Sequence, residues 1–266
     1  MRLAVPLVPY PGAPLARANP VAKLAAAAAL MLALFASLDW LTAAIVFAGL
    51  LGALPFSGLR ARDLVARSWP ILLVAISIGT FTVLFAPEQS GADVDLGPLH
   101  LGTETLVDGL GLALRLVAIV LAGLLATATT DPTDLADSLI QQLRVSPRFA
   151  IGALAAFRFL PLLGRDWQAL SMARRARGVD AGRSPVAGVR LFAGQLMALL
   201  VAAIRRASRM AVAMEARGFG ARECRTIARP QRIRGGDVAW IAGAVALSAV
   251  AIATSVALGS WRPLLG

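Results

Sequence analysis

The sequence predicts an all-α integral membrane protein with about five transmembrane helices plus long cytoplasmic helices. Three observations predict it. The 266 residues are 58% hydrophobic and only 15% charged, whereas a soluble domain carries about 25% charged residues. Several apolar runs approach the roughly 20 residues needed to cross a hydrocarbon core. Finally, 18 of the 26 Lys and Arg residues fall in one stretch, Asp131–Gly236, between the fourth and fifth of those runs.

The first span is read over Asn19–Ser37. Lys23 precedes an apolar run, Leu24–Ala36, that resembles a signal peptide core, but Pro6, Pro9, Pro11, Pro14 and Pro20 are unlike a typical leader. An uncleaved span is expected. The second span, Leu41–Pro55, is short, with a tight turn at Asp39 and Trp40 before it. Trp69–Ala86, Thr105–Thr130 and Asp237–Gly259 complete the five. Three regions follow: residues 1–130 with spans one to four, a segment at 131–236, and residues 237–266 with span five and the C-terminus.

Positive charge in short loops marks the cytoplasmic side. Arg2, Arg17 and Lys23 precede span one, and Arg60, Arg62 and Arg67 separate spans two and three, so the N-terminus and that loop are expected inside. The loop Pro87–Glu104 carries Glu88, Asp93, Asp95 and Glu104 without Lys or Arg and is expected outside. The segment 131–236 returns to the cytoplasm, and the C-terminus ends outside. A rival topology crosses at Phe149–Leu163 and Leu191–Ile204. Both runs are shorter than a span, and crossing there exports Arg165, Arg174, Arg175, Arg177, Arg183 and Arg190 against only Asp166 and Asp180. Interfacial helices, or helices packed under the bundle, are expected instead. Arg115 falls inside span four, where it either snorkels or pairs with Asp108, seven residues earlier on nearly the same face.

Within the basic segment, Asp131 or Thr133 caps a short helix over Thr133–Leu143. Ser146-Pro147 starts a long helix, Ser as N-cap and Pro in the first turn, running to Arg177 with a kink expected at Pro161. A loop at Asp180–Pro185 precedes a second long helix to Arg217. Each has about 30 residues, roughly 45 Å of rod. On the first, Asp166, Arg174 and Arg177 fall within about 80°; on the second, Arg205, Arg206, Arg209 and Arg217 fall within about 120°. The bland reading of such faces is solvated charge.

Two endings stand out from that reading. Both rods close on Ala-Arg-Gly: Ala176-Arg177-Gly178 and Ala216-Arg217-Gly218. A cation in the last turn gains about 0.3–1 kcal/mol from the macrodipole, which accounts for one ending but not for a matched pair. Small neighbours leave each guanidinium unshielded, able to enter a pocket and form a bidentate pair with a carboxylate.

These elements, in this order, resemble a family. Pro14-Leu15-Ala16-Arg17-Ala18-Asn19-Pro20 with Lys23-Leu24, Thr129-Thr130-Asp131-Pro132-Thr133-Asp134-Leu135, Phe157-Arg158-Phe159-Leu160-Pro161, Arg175-Ala176-Arg177-Gly178 and Ala213-Met214-Glu215-Ala216-Arg217-Gly218-Phe219-Gly220 are similar to motifs of the T component of energy-coupling factor (ECF) transporters. The resemblance implies that the rods are coupling helices. Arg177 serves one ATP-binding-cassette (ABC) ATPase and Arg217 a second, with Ala176, Gly178, Ala216 and Gly218 permitting close approach. ATP-driven closure then reorients a membrane-embedded substrate-binding S component for uptake of a vitamin or metal ion. The alternative is a membrane-anchored basic scaffold that recruits acidic partners without transport.

Other chemistries lack their residues. There is no Gly-rich loop ending in Gly-Lys-Ser/Thr, and Lys23 is the sole lysine, so ATP hydrolysis is left to the partners. His100 and Cys224 are each single, which excludes an internal disulfide and a Cys/His metal cage. No cofactor is expected. The +11 net charge fits a positive-inside membrane protein facing lipid rather than a nucleic-acid binder. The arginines at 222, 225, 229, 232 and 234 are read as part of that bias.

Overall fold

The computed structural model describes residues 12–85, 93–96, 99–179, 182, 184–220, 227 and 229–261. Arg2, Pro6, Pro9, Pro11, Glu88, Asp180, Arg183, Arg222, Cys224 and Arg225 lie outside them. The elements run α1 (Pro14–Arg17), α2 (Pro20–Ala36), α3 (Trp40–Ser57), α4 (Ala61–Leu84), β1 (Asp93–Leu96), β2 (Leu99–Gly102), α5 (Thr103–Ala128), α6 (Pro132–Gln142), α7 (Pro147–Ala176), α8 (Pro185–Ala216) and α9 (Gly235–Ala257). The chain is an all-α integral membrane protein, with one short antiparallel hairpin, β1–β2, in the acidic loop. It falls into two compact units: Met1–Ser138 with Gln231–Gly266, and Leu139–Pro230.

Helices begin where side chains can accept the orphan amides of a first turn. Asn19 accepts from the Val21 amide at 3.0 Å, Asp131 from Thr133 at 2.7 Å, Ser146 from Phe149 at 3.3 Å and Ser184 from Ala187 at 3.3 Å. The expected Asp39–Trp40 turn is a helix start: Asp39 caps α3 through the Thr42 amide at 2.7 Å.

Among the described residues, five helices are long and apolar enough to cross a membrane: α3, α5, α7, α8 and α9. Pro20–Ala36 and Ser68–Leu84 are shorter apolar helices. The expectation that the apolar runs in α7 and α8 fall short of a span is therefore corrected on length. Those runs are embedded in helices of 30 and 32 residues, and α7 continues through Pro161 as one helix.

The core of the first unit is made by α2, α3, α5 and α9. Leu30 and Leu34 meet Ala43, Val46 and Leu50, Ala118, Ala122 and Leu125, and Ala244 and Ala251. Alanine at half of these positions lets backbones approach closely, which is how helices gain contact where lipid is as apolar as their side chains. The backbones of α4 and α5 come into direct contact. A Cβ on Gly79 would lie 2.8 Å from the Gly109 carbonyl oxygen, and a Cβ on Gly109 would lie 2.9 Å from that of Gly79.

Two buried polar knots close this unit. In one, the Lys23 ammonium donates to the carbonyls of Thr129 at 2.8 Å and Ala16 at 3.2 Å. Beside it, Asp237 accepts from the Asn19 amide and the Arg234 amide, both at 2.7 Å. Lys23, Asn19, Thr129 and Asp237 are all buried. In the other knot, the Ser37 hydroxyl donates to Asp39, and the Thr42 hydroxyl faces Ser37 and the Ala251 carbonyl at 3.4 and 3.5 Å. Arg115 donates to the Ser37 carbonyl and feels the charge of Asp39. Arg115 is buried, so it neither snorkels nor depends on Asp108 alone. Burial pushes the Asp39 carboxyl up, but hydrogen bonds from Ser37, the Thr42 amide, Ser255 and the Thr42 hydroxyl together hold it below its ordinary value.

Lys23→Met strips the knot of its donor and leaves the Ala16 and Thr129 carbonyls without it, a change that costs about 1–3 kcal/mol. Thermal unfolding of the purified protein in detergent should show a clear fall in midpoint, and an unchanged midpoint would rule out a stabilising knot. Gly79→Val should cost about 1–3 kcal/mol by overpacking, while Gly243→Ala, inside α9 with nothing within 4 Å of its Cβ, should not lower the midpoint, since Ala favours a helix over Gly.

Candidate functional site

The two Ala-Arg-Gly sequences fold into the same turn. At the end of α7 the Val179 amide bonds the Arg174 carbonyl at 3.0 Å and the Gly178 amide bonds Arg175 at 2.9 Å. At the end of α8 the Phe219 amide bonds Met214 at 3.0 Å and the Gly218 amide bonds Glu215 at 2.9 Å. Both are Schellman turns, in which amides beyond the helix satisfy its last carbonyls. The turn needs a left-handed residue just past the cap, and Gly178 and Gly218 supply it with φ of 73° and 78°. Each arginine is the C-cap itself, at φ −88°, ψ 6° for Arg177 and φ −87°, ψ 8° for Arg217. A repeated tripeptide has become a repeated backbone geometry, and both arginines are exposed. Ala176 and Ala216, the last residues of their helices, are exposed as well.

Contacts between α7 and α8 place the two tips relative to one another. Arg174 Nη1 donates to the Leu191 carbonyl at 2.9 Å. Trp167 meets Phe192 edge to face, with ring centroids 5.3 Å apart. Asp166 pairs with Arg206 at 3.1 Å, and the Arg206 guanidinium sits over Phe159 at 5.9 Å. As the residue number falls along α7 it rises along α8, so the helices run antiparallel. The pattern extends to Arg148 near the start of α7, whose Nη2 would lie 3.1 Å from a Cβ on Gly220. Arg177 therefore sits at the end of the pair where α7 turns into α8, and Arg217 at the opposite end.

The faces expected from spacing alone are redistributed by this pairing. Asp166 and Arg174, placed on one face with Arg177, turn to α8, while Arg177 stays exposed. Of the arginines on α8, Arg206 is drawn in, and Arg205, Arg209 and Arg217 are exposed. Phe149, Phe157, Leu160, Phe192, Leu196 and Leu200 are exposed apolar residues of the same two helices. Arg148, which the spacing did not single out, closes the Arg217 end. Its partner lies 72 positions along the chain, and no local signal points to it. No group of three or more His, Cys, Asp or Glu that could hold a metal occurs among the described residues.

The chain is similar to known transport proteins. The sequence profile of CbiQ, described as cobalt transport protein, matches residues 12–228, which include both tips. An energy-coupling factor transporter transmembrane protein EcfT of Listeria innocua is 30% identical over 241 residues, covering 87% of this chain and 90% of its own length. EcfT 1 of Listeria monocytogenes is 29% identical over 203 residues, 73% of this chain and 75% of its own. EcfT of Bacillus subtilis is 34% identical over 153 residues, 54% and 58% respectively.

Gly178→Ala and Gly218→Ala force a Cβ into the left-handed region at about 1–2 kcal/mol each. The Val179 and Phe219 amides should then exchange with deuterium about 5–30 times faster. Asn, which tolerates this conformation, should change the rates much less. Equal exchange in the Ala and parent proteins would rule out the left-handed turn.

Proposed function

This chain belongs to the CbiQ family as a T component of energy-coupling factor transporters, and we propose that it couples two ABC ATPases to a separate substrate-binding S component. One ATPase docks at Arg177 and the other at Arg217. The observation that carries this reading is the matched pair of Schellman turns, which offers the same exposed cation in the same backbone setting at opposite ends of one helix pair. A guanidinium held at a C-cap between small residues suits a bidentate bond to a carboxylate in a partner's groove. The ATPases bring the phosphate-binding loop that this sequence lacks, so the subunit itself is non-catalytic.

The orientation follows from charge. The segment 131–236 and the N-terminus face the cytoplasm, where the ATPases and their ATP are, and the short C-terminus faces out. Although α7 and α8 are long enough to cross, driving their arginines through the bilayer costs several kcal/mol for each one at the centre. Lying at the inner surface, the two helices keep their charges wet and offer apolar side chains to the membrane and the S component. The cargo is a vitamin or a metal ion bound by the S component.

Arg177→Ala and Arg217→Ala should each cost about 2–5 kcal/mol of docking free energy. In a co-purification of the complex from membranes, each single variant should retain about one ATPase per T component, and the double variant none. Arg209→Ala, an exposed arginine of α8 away from either tip, should retain two. Equal and small losses in all variants would sink docking at the tips and favour the basic scaffold.

A further inference from the structure

The two tips are equidistant from one contact. Asp166 lies eleven residues before Arg177, and Arg206 lies eleven residues before Arg217. The ion pair at 3.1 Å between them thus joins equivalent positions of the two helices. In an antiparallel pair, a contact between equivalent positions marks the local twofold axis that exchanges the helices. At 1.5 Å per residue each tip is about 16 Å from this point, and the tips are up to about 33 Å apart.

The chemistry of the contact is unusual for its surroundings. Most of the side chains on these two helices are apolar, and apolar surfaces pack with little preference for register. Asp166 and Arg206 are only about a third exposed, and the Arg206 Nη1 is buried without an acceptor among the described residues. Desolvation offsets most of what such a pair gains, so its best-attested use is to fix register rather than to add stability. Two further contacts constrain it. Phe159 receives the face of the same guanidinium at 5.9 Å. Arg174 reaches the Leu191 carbonyl at 2.9 Å across Gly194, where a Cβ would come within 3.4 Å of both terminal guanidinium nitrogens. A slip of one turn, about 5.4 Å, breaks both polar ties at once.

We propose that the Asp166–Arg206 ion pair, with the Arg174 bond to the Leu191 carbonyl, is a register lock at the midpoint of the α7–α8 pair that makes its two Arg-Gly ends move as one strut. This rests on the docking reading above for its functional consequence, but the lock itself is a property of the chain alone. Asp166, Arg174 and Arg206 are positioning residues that touch neither ATPase nor cargo.

The test is a distance distribution between nitroxide labels on exposed Ala169 of α7 and Ala213 of α8, in a Cys224→Ser background reconstituted in lipid nanodiscs. The parent should give one narrow distribution. Asp166→Asn, Arg206→Gln and Arg174→Gln should broaden it or shift it by up to about one turn, 5 Å, while Asp166→Glu, which keeps the carboxylate, stays narrow. The lock is overturned if Arg206→Gln is as narrow as the parent, or if Asp166→Glu is as broad as Asp166→Asn. Should Asp166→Asn fail to purify as a single species, the two Gln variants decide. Co-purified ATPase should be unchanged in all the lock variants. Failure of the docking reading would instead appear as ATPases retained by the Arg177→Ala, Arg217→Ala double variant, which leaves the label distances free to judge the lock.

Discussion

A single buried ammonium organises the route of this chain. Lys23, near the start of the first long helix, donates to the carbonyl of Thr129, 106 residues later. Thr129 is the C-cap of α5, just before the chain leaves for its basic segment. Asp237, within the same knot, opens α9, the helix on which the chain returns. Gln231 Nε2 adds a bond to Asp134 Oδ1 at 3.2 Å. Departure and re-entry are thereby tied to the same short stretch around Asn19 and Lys23. Burying a charge is costly unless every partner is in place, so the knot forms only when α2, α5 and α9 are all assembled.

The opposite end of the unit is closed by different chemistry. Ser37, Asp39, Thr42 and Arg115 share one buried network, joining the α2–α3 turn to α5 and reaching α9 through the Ala251 carbonyl. Between the two networks the core is aliphatic and rich in alanine. Polar groups at both ends and small residues between suit a bundle whose sides face lipid, where close backbone packing and satisfied hydrogen bonds do the work that water exclusion does in soluble proteins.

Local chemistry was readable from the sequence, and long-range pairing was not. Ser146, Gly178 and Gly218 act within a few residues of themselves, so their roles as cap and stops followed from residue type and order, whereas the caps at Asn19 and Ser184 emerged only in the structure. The second helical span and the turn before it merged because Asp39, read as part of a turn, is the cap itself. Arg115 was legible only as a charge in an apolar run; its turn toward Ser37, 78 residues away, depends on how α2 and α5 pack. The same holds for Asp166 and Arg206. Helical spacing placed Asp166 with Arg174 and Arg177, and Arg206 with Arg205, Arg209 and Arg217, but could not tell which of them would turn to the neighbouring rod. The reach of the apolar runs at 149–163 and 191–204 was underestimated because arginines dilute hydropathy without shortening a helix.

The equal spacing of the two tips from the Asp166–Arg206 contact has a mechanical meaning. A rigid bar loaded at both ends has lever arms of the same length about its midpoint. Equal forces in one direction at its ends lift it without turning it, and opposed forces turn it without lifting it. If two ATPases dock at the tips as proposed, equal strokes exert equal moments about the contact and need no gearing between them. An insertion of about four residues, one turn, between contact and tip would leave both tips chemically intact and yet unbalance the beam.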